Sequence, residues 1–553
     1  MLSCLLFVAN TSWAQQVPPS SVTPEHIEKG LQQPYIEPQQ TPAAPVIGLP
    51  KAPPTGKLAA HFTLYDVKIE GSTVYEEGTF DPLFENNIGK NISLAQAQEI
   101  ARGVTARYRA DGYVLSQAII PTDQELRDGV LHVKVIEGFI DRVIIQNDNP
   151  KADSRDLIAG FARKIQEEKP LNTATLERYM LLIDDLPGVS ARSVIRPSPS
   201  TFGAADLVIE IQNKREEASF TSDNRGNRYL GPYQEQLTLT ENSALGLGER
   251  TTVRGLNSLP ISELHYIDIQ HEEQIGSEGT HVIFFASKLK TNPGDILKPA
   301  NFRGDSEDYS VTLASPLLRS RAENFTGRVM LDARNSENDV LGFQLYNDRV
   351  RALRVGSNYS VGDHLGGVVL FDGLVSQGVG GLGATADGAG RSRFDADSSF
   401  SKFNFDLSRL QNLPHGFSVL TAATGQYTLK PLLTSEQFTL GGVGFGQAYD
   451  SGELSGDEGV AGKLELRYGQ GVGQKWLDSY QLYAAYDIGT VRLYDPSLGT
   501  PAHSQLSSLS TGVRLNFTQN LYGYLELGLP LTKDVASEGN KDPRLFFSLT
   551  GRY

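Results

Sequence analysis

The chain has 553 residues, a formal net charge of −15 and an isoelectric point near 5.2; it is long enough for several domains and has none of the clustered Lys and Arg that nucleic-acid phosphates demand. Mean hydropathy is −0.28 and no run of about 18 apolar residues occurs, which excludes a bundle of membrane-spanning helices but not a β-barrel, whose strands give lipid only every second residue. Cys4 is the single cysteine, so an internal disulfide is excluded, and cleavage of the apolar N-terminal stretch that holds it would leave no thiol for catalysis or a Cys-based metal site.

Leu2 to Ala9 is apolar and is followed by Ser12-Trp13-Ala14. This reads as a secretory leader over residues 1–14 with its basic n-region missing, and points to a start placed too late. Residues 15–60 are rich in Pro and Gln and read as an extended linker. One short helix interrupts it near 24–33, with Thr23 as N-cap, Pro24 at the first helical position and Glu25 at the positive helix end.

Residues 61–137 form a compact α+β pattern. Phe62, Leu64, Val67 and Ile69 nearly alternate and predict a strand. Ser93 with Gln96 makes a capping box, after which Leu94, Ala97, Ile100, Val104 and Tyr108 recur at helical spacing until Gly112 stops the helix. Strands follow over Tyr113–Ile120 and Leu131–Ile136. Residues 138–213 repeat this β-α-α-β-β order: strand Ile140–Gln146, helices over 153–167 and 173–185, then strands Val189–Ile195 and Asp206–Gln212. A unit of about 75 residues occurring twice suggests a modular arm.

From 214 to 553 the helical period vanishes. Alternating strands with Gly-, Asn- and Asp-rich turns continue to the end, and the 55 Gly, 22 Tyr and 24 Phe suit tight turns and interfacial aromatic girdles. Leu482, Ala484, Tyr486 and Ile488 oppose Gln481, Tyr483, Asp487 and Gly489; Leu545, Phe547, Leu549 and Tyr553 share one face. Roughly sixteen such segments predict a closed antiparallel membrane barrel with apolar side chains out and polar side chains in.

No catalytic or metal constellation is found. Gly378-Val379-Gly380-Gly381-Leu382-Gly383 matches the dinucleotide fingerprint, but no helix pattern follows it and the surroundings read as a loop. His271-Glu272-Glu273 lacks a second His. No residues point to a cofactor, nucleotide or nucleic acid.

Two segments carry a resemblance. Asp223-Asn224-Arg225-Gly226 opens the motif running to Gly231, and a second motif runs from Leu440 to Asp457 through Phe445-Gly446-Gln447-Ala448-Tyr449-Asp450. With the domain order and length, these make residues 60–553 resemble the two-partner secretion transporters, the hemolysin-activator and adhesin-secretion branch of the POTRA-bearing outer-membrane barrels. The resemblance implies two periplasmic POTRA domains, a sixteen-stranded barrel and a pore plugged by the N-terminal helix. It also implies a loop between strands eleven and twelve that folds into the lumen. The implied partner is a secreted exoprotein with an N-terminal secretion domain, of hemolysin or adhesin type, recognised in the periplasm beside the first POTRA helix (Leu94, Ala97, Ile100, Val104, Tyr108). In that family the loop tip is Arg-Gly-aromatic and its Arg pairs with an Asp of a D-x-G segment, here Asp487-Ile488-Gly489. Gln447-Ala448-Tyr449 departs from it, and Gln447 is expected to donate to Asp487 as a weaker, neutral anchor. An outer-membrane assembly factor is the alternative, though such factors usually carry more POTRA units; a passive porin is disfavoured by the periplasmic repeat.

Overall fold

The structure is a computed structural model that describes residues 19–32, 61–122, 124, 126, 128–147, 154–386, 390–496 and 500–553. The expected leader and most of the Pro-rich linker lie outside the described residues.

The first α+β unit has a three-stranded sheet in which Asp66–Glu70 runs parallel to Val130–Ile136, flanked on its other side by antiparallel Gln117–Ile119. Helix α2 (Leu94–Ala110) covers one face. Ser93 and Gln96 form the reciprocal capping box, and Gly112 beyond the C-cap sits at φ +94°. Three sequence expectations change here. Phe62 to Ile69 is not one strand: the chain breaks after Thr63 so that Leu64 and Val67 both enter the core, and His61–Thr63 pairs separately with Asn91–Ser93. The first helix of the β-α-α-β-β order is replaced by two short turns, Asp81–Leu83 and Glu85–Asn87, which suffice to bury Phe80 and Phe84. The strand expected over Tyr113–Ile120 shrinks to Gln117–Ile119, because the chain turns through Tyr113–Ser116 and packs Leu115 against the core of the second unit.

The second unit keeps the full order, with α3 (Arg155–Glu167) and α4 (Thr173–Asp184) on a sheet in which Ala204–Asn213 lies between Phe139–Asn147 and Val189–Pro197. Leu115 and the bonds from Thr173 to the Gly112 carbonyl tie the units into one arm.

Among the described residues, sixteen strands close an antiparallel barrel, numbered 1 to 16 here in chain order from Glu216–Asp223 to Arg544–Arg552. The wall is uneven. Strands 7 (Glu323–Val340) and 8 (Phe343–Gly362) are the tallest, whereas strands 1 and 16 pair over only five residues, Ser548–Asp223 to Arg552–Ser219. Alternation builds the wall. Ile267, Ile269, Leu331, Leu482 and Ile488 face outward and are exposed, while Asp268, Asp332, Tyr483 and Asp487 between them face the lumen and are buried. Hydrocarbon accepts the first set and a closed hydrogen-bonded cylinder the second.

The second unit docks on the near end of the barrel. Arg319 makes two 2.7 Å bonds to Asp185, Arg321 N–H donates to Glu177 at 2.8 Å, and Lys164 and Tyr179 converge on Glu278. The connections that follow odd-numbered strands therefore lie at the far, outer end.

Candidate functional site: the occupied lumen

Two elements fill the lumen. The first is α1 (Pro24–Gln32), which His26 N–H and Ile27 N–H start by bonding the Thr23 carbonyl. Its polar side chains find partners on the wall and on the loop. Glu28 accepts from Ser287 of strand 5 (Thr280–Thr291) and, at 2.6 Å, from Ser306 of strand 6 (Arg303–Arg319). His26 Nε2 lies 3.1 Å from the Thr434 carbonyl, and Lys29 donates to the Gln437 carbonyl at 2.6 Å. Arg254 donates to the Leu31 carbonyl at 3.0 Å, a cation at the negative helix end. Val22 and Ile27 pack in an apolar patch with Tyr229, Leu256, Tyr266 and Leu289. Gly30 lies within the helix because a Cβ there would stand 2.5 Å from Ser451 Oγ.

The second element is the loop between strands 11 (Phe417–Thr428) and 12 (Glu458–Gln474), which folds inward as a hairpin pairing Phe438–Leu440 with Leu454–Gly456. Its tip holds Phe445 to Asp450. Gly446 takes φ +87°, and a Cβ on it would meet Leu506 at 2.8 Å, so only glycine fits. Gln447 does not meet Asp487 through its side chain. Its backbone N–H donates to Asp487 Oδ2 at 3.2 Å, while its side-chain Oε1 accepts from Ser510 at 2.7 Å. The expected amide anchor is thus corrected to a main-chain one, and the nearest cation is Lys463 of strand 12, 3.8 Å from Asp487 Oδ1. Ala448 is buried against Gly528 of strand 15 (Leu521–Pro530), with its carbonyl bound by Arg544 at 3.0 Å. Tyr449 bonds the carbonyls of Ser507 and Lys533, each at 3.2 Å. Asp450 pairs with Arg544 at 2.6 Å. Gly489, on strand 13 (Leu477–Arg492) with Asp487, leaves room for Leu440: a Cβ there would lie 2.6 Å from it.

The first-strand motif reaches the same tip. Arg225 donates to the Gln447 carbonyl at 2.9 Å and to Glu526 at 2.7 Å, stacking over Phe546 at 4.0 Å. Asp223 accepts from Arg225 N–H at 2.9 Å. Gly226 admits the Gly231 carbonyl, 2.1 Å from where its Cβ would be. Asn224 bonds the Leu545 carbonyl at 2.8 Å and the Phe547 N–H at 2.7 Å, extending the short closing seam by imitating a strand residue.

The α2 residues stand elsewhere. Ala97, Ile100, Val104 and Tyr108 of α2 are buried in the core of their own domain and Leu94 is packed at its edge. The four buried ones hold α2 to its sheet and leave no face for a partner, while Leu94 is part-exposed. The sequence reading also missed the buried ionic strut of the loop base, where Glu436 takes Arg354 of strand 8 at 2.9 Å and Lys402 of strand 10 (Ser401–Asn412) at 2.7 Å. Strand parity alone puts Asp332, Arg334, Arg354 and Lys402 on the lumen side; naming their partner needed the fold of the loop.

A sixteen-stranded barrel with two α+β units at its inner end and a helix and hairpin in its lumen is the architecture of an outer-membrane transport pore. Residues 203–515 match the family Haemolysin secretion/activation protein ShlB/FhaC/HecB, and residues 62–138 match the ShlB-type POTRA domain. The chain belongs to that family, with the barrel in the bacterial outer membrane and the POTRA domains in the periplasm. It is 24% identical over 503 residues to the heme/hemopexin transporter protein HuxB of Haemophilus influenzae strain 86-028NP, covering 89% of this chain and 88% of the relative. It is 23% identical over 438 residues to the outer membrane transporter CdiB of Dickeya dadantii strain 3937, covering 77% and 76%. The fold is similar to that of CdiB from Escherichia coli, with a TM-score of 0.74 at 20% identity over 96% of each chain. BamA from Haemophilus ducreyi lacking POTRA domains 1–3 superposes with a TM-score of 0.51 at 11% identity over 89% of this chain and 100% of that one.

Proposed function

We propose that this transporter secretes a large exoprotein of hemolysin or adhesin type, which docks on the periplasmic arm in an extended form and passes through the lumen once α1 and the hairpin yield. The observation that carries this reading is a polar lumen filled by two elements held largely by exchangeable bonds. Docking falls on a sheet edge, since the α2 face is core. Val189–Pro197 is an edge strand of nine residues with Ser190, Arg192, Val194 and Arg196 exposed, and strand addition there would supply main-chain bonds without unfolding the domain. Folding of the partner outside the cell would make return unfavourable, which accounts for transport with no nucleotide site. Deleting residues 430–457 is expected to abolish secretion while the barrel still shows the heat-dependent gel shift of a folded one. Secretion at the wild-type level from that deletion would overturn the gating role.

A further inference from the structure

The plug does not fill the lumen down to its inner mouth. Below the hairpin tip, strands 13 to 16, with strand 14 at His503–Thr518, surround a cavity of about 310 Å³ lined by Gln481, Arg514, Asn516, Tyr522, Tyr524 and Ser548. Parity puts all six on the lumen face, because Leu482, Leu525 and Leu549 beside them are exposed on the lipid face. Register sets them in two rows. Gln481, Arg514, Tyr524 and Ser548 are paired neighbours across four strands, and Asn516 pairs with Tyr522 beside the turn 519–520. That turn follows an even-numbered strand and so lies at the inner, periplasmic end. The arm docks on the turns 243–249, 276–279 and 320–322, through Ser154, the Lys164–Glu278 pair and Glu177. Strand 14 stands eight strands round the ring from strand 6, so this part of the mouth lies across the barrel from the docked turn 320–322.

Toward the outside the cavity ends at the plug. Tyr524 Oη accepts from Arg225 at 2.9 Å, and Arg225 in turn holds the Gln447 carbonyl of the tip at 2.9 Å. A chain arriving from the periplasm therefore meets this space before it meets the tip. The lining contains no carboxylate, and its one cation is engaged: Arg514 donates to Glu465 and to Gln481 Oε1, each at 2.7 Å, and stacks over Tyr483 at 4.0 Å. Asn516 Nδ2 is given to Ser479 at 2.9 Å, and Tyr522 Oη accepts from Arg552 at 2.8 Å. Gln481 Nε2, Asn516 Oδ1 and Ser548 Oγ have no partner among the described residues. An occupant thus meets a donor, an acceptor, a hydroxyl and two phenol rings. That set matches the main chain of an extended polypeptide, which presents N–H and C=O groups along its edges whatever its side chains are. The facing side of the lumen has no such offer, because its side chains are committed to ion pairs such as Arg334–Asp308 and Arg354–Asp332.

We propose that this cavity is the receiving site of the pore, binding an uncharged extended segment of the transported polypeptide through its main chain before the hairpin tip moves. Gln481, Asn516 and Ser548 supply the hydrogen bonds, and Tyr522 and Tyr524 the walls. The inference rests on the reading that the lumen carries a polypeptide, and adds where that polypeptide first binds.

The test uses the full transporter in phosphatidylcholine nanodiscs and reads fluorescence anisotropy of a labelled peptide built only of Gly, Ser, Asn and Thr. The second probe is the same peptide N-methylated at alternate residues, which removes main-chain donors and keeps the side chains. The wild type should bind the first peptide and bind the methylated one about ten-fold more weakly, the scale of one or two lost hydrogen bonds. Gln481→Ala/Asn516→Ala should lose about ten-fold for the first peptide. Ser548→Trp fills the cavity without breaking a bond among the described residues; it should lose at least as much, and it decides if the double variant lacks the folded gel band. Absence of binding by the wild type, or equal affinity for the two peptides, overturns the proposal. Binding that survives Ser548→Trp unchanged puts the peptide on the arm and overturns it as well. Peptide binding is read without an exoprotein, so its failure leaves the transport reading standing, whereas wild-type secretion by the 430–457 deletion overturns the gating role whatever the peptide does.

Discussion

Helices α1 and α2 both bury side chains against protein, yet they are held by opposite means. In α2 the enclosed residues are Ala97, Ile100, Val104 and Tyr108, packed against Leu64, Leu131 and Val133, and each large apolar side chain taken from water is worth about 1.5–3 kcal/mol. In α1 the enclosed residues are chiefly Glu25, His26 and Glu28, with Ile27 as the main apolar anchor. Hydrogen bonds of this kind contribute little net, because water offers the same bonds to a helix that has left. Apolar burial makes a helix part of its domain. Polar burial makes a helix a tenant of the pore, held mainly by bonds that water can replace and by one apolar patch around Ile27.

The comparison is broken most severely by reversing the chemistry of α2. Val104→Asp puts a carboxylate among Leu64, Leu131 and Tyr108 with no partner, a cost of about 3–5 kcal/mol, enough to consume much of a small domain's stability. Protease resistance of POTRA 1 and secretion should both be lost, while the barrel keeps its gel shift. A Val104→Asp arm that resists protease as the wild type does would show that α2 is not core. A smaller effect is expected in the lumen. Glu28→Ala removes the acceptor of Ser287 and Ser306, weakening the seat of α1 by about 1–3 kcal/mol, or roughly ten-fold in its residence. Planar-bilayer recordings should show a correspondingly higher open probability from a barrel of unchanged thermal stability; an unchanged open probability would mean that α1 is held by Ile27 and its neighbours instead.

How far these contrasts can be read from sequence follows from the range of the forces. Period-two alternation is local and survives translation into structure, so the barrel wall, its polarity and the inward face of Asp487 are legible residue by residue. Capping at Ser93 and the stop at Gly112 are equally local. Amphipathic spacing in α2 is also legible, but it states only that one face is buried, and Val104 looks the same whether it meets its own sheet or a partner. The lumen contacts are the least legible. Glu28 with Ser287, Glu436 with Arg354 and Gln447 with Asp487 join segments tens to hundreds of residues apart. At Gln447 the contact uses a backbone N–H, which every residue but proline possesses. The resemblance correctly directs attention to the loop tip, yet a side-chain rule carried from the family to Gln447 assigns the bond to the wrong nitrogen.

The arm and the barrel meet through a third kind of contact, neither apolar core nor enclosed polar lumen, and its pH response sharpens the contrast. Partial burial raises the Glu278 carboxyl, but bonds from Lys164 and Tyr179 and the nearby Arg178 outweigh it and hold the group below the ordinary glutamate value of 4.5. A carboxyl depressed in the docked state contributes its stabilisation at neutral pH and loses it as pH falls through that depressed value. The interface should therefore loosen below about pH 4.5, where neither the cores of the two POTRA domains nor α2 depends on this charge. The effect is the smallest of the three because Glu278 is half-exposed and screened by water. Hydrogen exchange, taken as protection relative to the intrinsic rate at each pH, should report it as lost protection in the turn 276–279 and along α4 on acidification, with protection inside α2 unchanged. Glu278→Gln should remove the pH step while leaving a weaker interface at every pH. Loss of protection in α2 and α4 together would mean that the arm unfolds rather than undocks, and the distinction between a packed arm and a charged hinge would fail.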